Sequence, residues 1–180
     1  MKDDSEQAGL KFADLVVSAE SGNLSAMTQV GLMLAKGEGV AADFAQAEKY
    51  YRKAAEGGFA IAQYNLGCLY LNGTGVARDY EMAMHWFLHA AEQNDCDAQF
   101  NIAYMYDRGW GVDASDENAF KWYSLAAENG SPRAQFDLAC CYQHGKFVAA
   151  NREQAIFWFR RAEASGVARA ASLLQQLETQ

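Results

Sequence analysis

The stretch Leu71 to Val76, LNGTGV, reads as a turn with two glycines around one threonine, and the chain repeats it. KGEGV occupies 36–40, RGWGV 108–112 and HGKFV 144–148. Glycines at both turn positions allow positive φ and a close backbone approach that a side chain would block. In the last copy Phe147 stands in place of the second glycine. That substitution predicts a rearranged turn over Lys146 to Ala149, with Phe147 packed on a neighbour.

Outward from the turn, the register holds without insertion at a period of 36 residues. Ala26, Ala62, Ala98, Ala134 and Ala170 share one column, and Ala47, Ala83, Ala119 and Ala155 share another. Each unit reads as two helices joined by the turn. In the second, Ala83, Trp86, Phe87, Ala90 and Ala91 follow the spacing of one apolar helical face. The aromatic pairs Tyr50-Tyr51, Trp86-Phe87, Trp122-Tyr123 and Trp158-Phe159 read as core wedges between stacked helices, because every unit carries one. Asp43, Asp79, Ser115 and Asn151 share the column where a second helix needs an N-cap. Gly22, Gly58, Asn94, Gly130 and Gly166 share the column where it ends, and these residue types tolerate the left-handed conformation.

The expected organisation is a flexible N-terminus over 1–9, a half repeat over 10–23, full repeats over 24–59, 60–95, 96–131 and 132–167, and a capping helix over 168–178. Phe12, Leu15, Val16 and Ala19 carry the second-helix pattern into the half repeat, and Ala170, Leu173, Leu174 and Leu177 form the last apolar face. The fold class is therefore all-α: a right-handed α-solenoid of stacked antiparallel helix pairs.

AQYNLGCLYLNGTGV (62–76) followed by DYEMAMHWFLHAAEQN (79–94) resembles the SEL-one-like repeat, a relative of the tetratricopeptide repeat. The resemblance spans roughly residues 10 to 178. It departs from the pattern at Ala103 and Ala139, which replace the glycine of the LG pair, and at Phe147. The resemblance implies an interaction scaffold whose concave face holds a peptide or a segment of another protein.

Stepping 100° per residue along the first helix puts Ala62, Leu66 and Tyr70 on the core side. Opposite lie three columns: Gln29, Asn65, Asn101 and Asp137; Leu32, Cys68, Tyr104 and Cys140; Lys36, Asn72, Arg108 and His144. This stripe is the candidate partner-binding face. An asparagine amide donates to one peptide group and accepts from the next, as recognition of an extended backbone requires. The same amides could instead tie neighbouring repeats together. Arg108 and Lys36 suit an acidic group on a partner, and Tyr104 offers an apolar body with a polar tip. Trp110 stands where other turns carry Glu38, Thr74 and Lys146, so it either folds onto a neighbouring turn or anchors a partner.

A net charge of -8 and no Lys/Arg run longer than Arg160-Arg161 argue against nucleic acid and favour a basic or neutral protein partner. No apolar run is long enough to span a membrane, and the acidic start does not resemble a signal peptide, so the chain as written is expected in the cytoplasm. Cys68, Cys96, Cys140 and Cys141 read as reduced, and at Cys96 the neighbouring Asp95 and Asp97 oppose activation of the thiol. Glu81, His85, His89 and Glu92 form a stripe whose histidine spacing suits zinc, but Trp86 stands where a zinc protease needs its glutamate, so a solvated face is expected. Neither a phosphate loop nor a nucleophile elbow is present, and no cofactor is expected. The reading is a non-catalytic adaptor, monomeric when free. Two alternatives accompany it: a low-activity β-lactam hydrolase resembling cysteine-rich relatives of the family, and an immunity or inhibitor protein that occludes a toxin.

Overall fold

The computed structural model describes residues 4–179. Among them the chain forms ten α-helices and no strand. They fall into two compact units, Met1–Gln93 and Asn94–Gln180. The first holds α1 (Asp4–Glu20), α2 (Leu24–Lys36), α3 (Phe44–Glu56), α4 (Ala60–Asn72) and α5 (Tyr80–Ala91). The second holds α6 (Cys96–Arg108), α7 (Asp116–Glu128), α8 (Pro132–His144), α9 (Arg152–Ala164) and α10 (Ala168–Glu178). Within each unit, every helix packs on the one before and the one after it. This is the all-α stack of helix pairs that the 36-residue period implies.

The helices start where the capping residues put them. Side chains of Asp43, Asp79, Ser115 and Asn151 accept from the backbone N–H three residues on, at 2.9, 3.0, 3.2 and 3.0 Å. Each supplies a partner to one of the donors that a helix start leaves open. The same residues donate their own N–H back to the preceding first helix, at the carbonyls of Leu34, Tyr70, Tyr106 and Tyr142. One residue therefore starts a helix and pins it to its neighbour. Helix α1 runs from Asp4, so residues 4–9 are helical ahead of the expected half repeat, and residues 1–3 of the expected flexible N-terminus lie outside the described residues.

The glycine turn has two separate causes. Its first glycine ends the first helix in the left-handed conformation, as Gly73 does at φ 69°. Its second touches the preceding second helix: a Cβ on Gly75 would lie 2.5 Å from the Cβ of Phe44 and 2.8 Å from its carbonyl oxygen. The expected rearrangement at Phe147 does not occur. Phe147 holds φ 66°, beside 71°, 74° and 69° at Gly39, Gly75 and Gly111. Its ring lies stacked on Tyr123, centroids 6.3 Å apart, with the Lys146 ammonium 4.3 Å from its centre. This packing holds an L-residue where glycine is preferred.

Each unit has its own apolar core. In the first, Val30, Leu34, Tyr51, Leu66 and Trp86 close around the alanine columns; in the second, Phe100, Tyr123, Leu138, Trp158 and Phe159 do so. Gly67 leaves room for the Phe87 ring, which a Cβ would meet at 2.7 Å. Ala103 and Ala139, the departures at that column, are fully buried in a core that keeps the same pattern of helices.

Candidate partner-binding surface

Buried glutamines fix the spacing of the first helices. Gln63 and Gln135 donate from Nε2 to the carbonyls of Ala55 and Ala127, at 3.2 and 3.3 Å. Their Oε1 atoms accept from Gln93 Nε2 at 2.8 Å and Ser165 Oγ at 3.0 Å, and Gln99 Oε1 accepts from Asn129 Nδ2 at 2.9 Å. Gln63 and Gln135 thus tie their repeats to the ones before them, the structural role for which the asparagine column was the candidate. Sequence reasoning passed over them, although Gln63, Gln99 and Gln135 share the 36-residue register. Their partners Gln93, Asn129 and Ser165 share it too, but vary in type.

The candidate stripe divides between the units. In the first, Gln29, Lys36 and Asn72 are exposed and Asn65 is half-buried. Lys36 Nζ lies 3.5 Å from Glu38, an exposed pair worth little to stability. In the second, Arg108 and His144 are exposed, Tyr104, Trp110 and Asp137 are half-buried, and Asn101 is 8 % exposed. Asn101 thus lies deeper than a ligand-contacting residue on an open face would.

Tyr104, Arg108 and Trp110 come together. The Tyr104 and Trp110 rings meet edge to face with centroids 5.4 Å apart, and the Arg108 guanidinium lies 5.2 Å from the Tyr104 centroid. Trp110 therefore packs on its own repeat's tyrosine. The three side chains gather two perpendicular aromatic rings and a cation at the C-terminal end of α6 and the turn after it, residue types in which interface hot spots are enriched.

A second group surrounds Asp137. Lys146 Nζ bonds both oxygens of Asp107, at 2.8 and 2.9 Å. Burial pushes the Asp137 carboxyl above the usual carboxylate range; Arg133 and Lys146 pull it back and Asp107 adds to the push. Burial, and then the charges of Asp137 and Asp107, drive the Tyr123 phenol up as well. In the first unit burial takes Tyr51 to about 12.

None of the four cysteines is in a disulfide. Burial raises Cys140 to about 11 and Cys141 to about 12, so both stay protonated at neutral pH and are poor nucleophiles. At Cys96 burial raises the pKa, with Asp97 and Asp95 adding to it, as their flanking positions imply. One further surface was not anticipated. On α9, Phe157 is 47 % exposed beside Ile156, Arg160 and Arg161, which line a shallow depression.

The model of the Sel1 repeat matches residues 24–59, 60–95, 96–131 and 132–167. The chain belongs to the Sel1 repeat family. A Sel1 repeat protein from Oxalobacter formigenes is 33% identical with a TM-score of 0.78, over 90% of this chain and 67% of that one. The protein c5321, a protective antigen of uropathogenic Escherichia coli strains with an SLR fold, is 35% identical with a TM-score of 0.81 over 86% of this chain. The present chain spans 33% of its length. Cysteine rich protein B of Helicobacter pylori, 22% identical with a TM-score of 0.59 over 72% of this chain and 92% of that one, shares the fold. No curated protein matches. Sel1 repeat proteins are generally protein-interaction scaffolds, and the fold is typically non-enzymatic. Among the described residues no helix is long and apolar enough to cross a membrane.

Proposed function

We propose that this Sel1 repeat chain is a non-catalytic adaptor that binds a peptide or protein segment on its first-helix surface. The observation that carries this reading is the Tyr104–Arg108–Trp110 cluster at the end of α6 and the turn after it. It sets an aromatic wall beside a guanidinium on a helix that buried glutamines hold in place, so the scaffold loses little freedom on binding. Asp137 and the exposed His144 on α8 extend the polar surface within the second unit, and Gln29, Lys36, Asn65 and Asn72 give the first unit a polar surface of its own. Asn101 contributes from beneath, as support. The chain is monomeric when free, and its net charge of -8 favours a basic or neutral partner over nucleic acid or membrane.

The test is affinity capture from native lysate with mass spectrometry, comparing wild type with a folded Tyr104→Ala/Arg108→Ala variant and with Asn65→Ala. A partner held by wild type and lost by the first variant supports the α6 surface. Equal capture by all three chains removes the first-helix surface from the reading and turns attention to the outer face around Phe157.

A further inference from the structure

The outer face of α5 carries two of the chain's three histidines, at i and i+4. Their rings meet edge to face with centroids 4.6 Å apart and planes at 87°. The side chain of His89 is 45 % exposed, and His85 lies on the exposed side of the same helix. Both are therefore open to an ion from solvent. His89 Nδ1 stands 3.6 Å from the Glu92 carboxylate, just beyond hydrogen-bond length, so a small rotation lets Nδ1–H donate to it. A carboxylate holding one ring nitrogen turns the other outward as a ligand, the arrangement common behind metal-bound histidines. Glu81, one turn before His85, adds negative charge to the same stripe.

The other repeats show that the fold does not need this pair. The same two columns hold Lys49 and Lys53, Lys121 and Leu125, and Phe157 and Arg161. Only α5 replaces both with imidazole.

We propose that His85 and His89 form a two-imidazole chelate for a borderline divalent transition ion of the Cu2+, Ni2+ or Zn2+ class, with water in the remaining positions. Imidazole suits these ions, and residues four apart on a helix lie one above the other. No group of three or more His, Cys, Asp or Glu among the described residues could hold a metal, so the site is bidentate and open. Closing it requires the exposed His85 ring to turn out of its perpendicular arrangement so that both lone pairs converge.

The probe is Ni2+ alone, titrated into the full chain by calorimetry and by quenching of tryptophan fluorescence. Trp86 reports, because its ring centroid lies 5.0 Å from that of His85 and 6.1 Å from that of His89. Wild type should bind one equivalent with partial quenching. His85→Ala or His89→Ala should weaken binding by on the order of tenfold or more, and Glu92→Gln by less. The variant His85→Lys/His89→Lys copies the residues of α3, so folding is not at issue, and it should abolish both signals. An isotherm unchanged in that double variant would place Ni2+ on thiols or scattered carboxylates and overturn the site.

Discussion

Phe147 shows how one side chain can offset a backbone penalty. Its φ of 66° costs an L-residue roughly 1–2 kcal/mol. The half-buried ring is worth on the order of 1 kcal/mol or more in apolar contact, against Tyr123 and the second unit's core. Phe147→Ala keeps the strain and loses the ring; Phe147→Gly loses both. Thermal melts should therefore rank wild type above or near the glycine variant, and the glycine variant above alanine by about 1 kcal/mol. An alanine variant at least as stable as glycine would show that the left-handed conformation carries no strain here. The expectation of a rearranged turn failed because a missing glycine shows in the sequence, whereas the ring that stabilises the same backbone becomes a neighbour only after folding. Asp137 supports a second prediction. Its folded pKa is raised, so the group adds stability below its unfolded pKa and loses it as pH rises through the folded value. Asp137→Asn should raise the denaturation midpoint near neutral pH, and its advantage should shrink as pH falls into the carboxylate range. An advantage that is constant with pH would place the effect in packing.

The helices were legible because their boundaries are chemical. Asp43, Asp79, Ser115 and Asn151 announce four starts, and each cap bond is present. The glutamine ties were not legible: a polar residue in a helix's first turn normally faces water, and its burial depends on the helix before it. Gln135 shows what such a tie contributes. It is 3 % exposed and satisfies both the Ala127 carbonyl and the Ser165 hydroxyl. Gln135→Ala removes these two hydrogen bonds, each worth about 0.5–1.5 kcal/mol, while the Ala127 carbonyl keeps the Gly130 N–H at 3.2 Å. Gln29→Ala, on the exposed column two positions further along an earlier first helix, should change stability by no more than about 0.5 kcal/mol. Chemical denaturation of both variants checks the contrast, and equal losses would show that the glutamine column is not a structural tie. Helical angle gives the columns of the candidate stripe but not its depth: the Arg108 guanidinium lies over the Tyr104 ring, while Asn101 in the same stripe is nearly covered.

At the scale of the whole chain, strict periodicity gives nearest-neighbour packing, and the two units show its consequence. Each buries its own set of alanines, aliphatics and aromatics, so each has a separate source of stability. In such a repeat protein stability approaches a sum of local terms, and damage stays close to where it is made. Leu138, 1 % exposed in the second unit's core, offers the test. Leu138→Ala removes about 2–5 kcal/mol of packing. Hydrogen exchange followed by mass spectrometry should then show faster exchange in α7, α8 and α9, which the lost side chain supported, while α2 and α3 keep wild-type protection. Loss of protection spread evenly from α2 to α9 would mean that the chain unfolds as one cooperative body. The distinction bears on function, because only local response would leave the Lys36 and Asn65 surface competent to bind while the second unit is loosened.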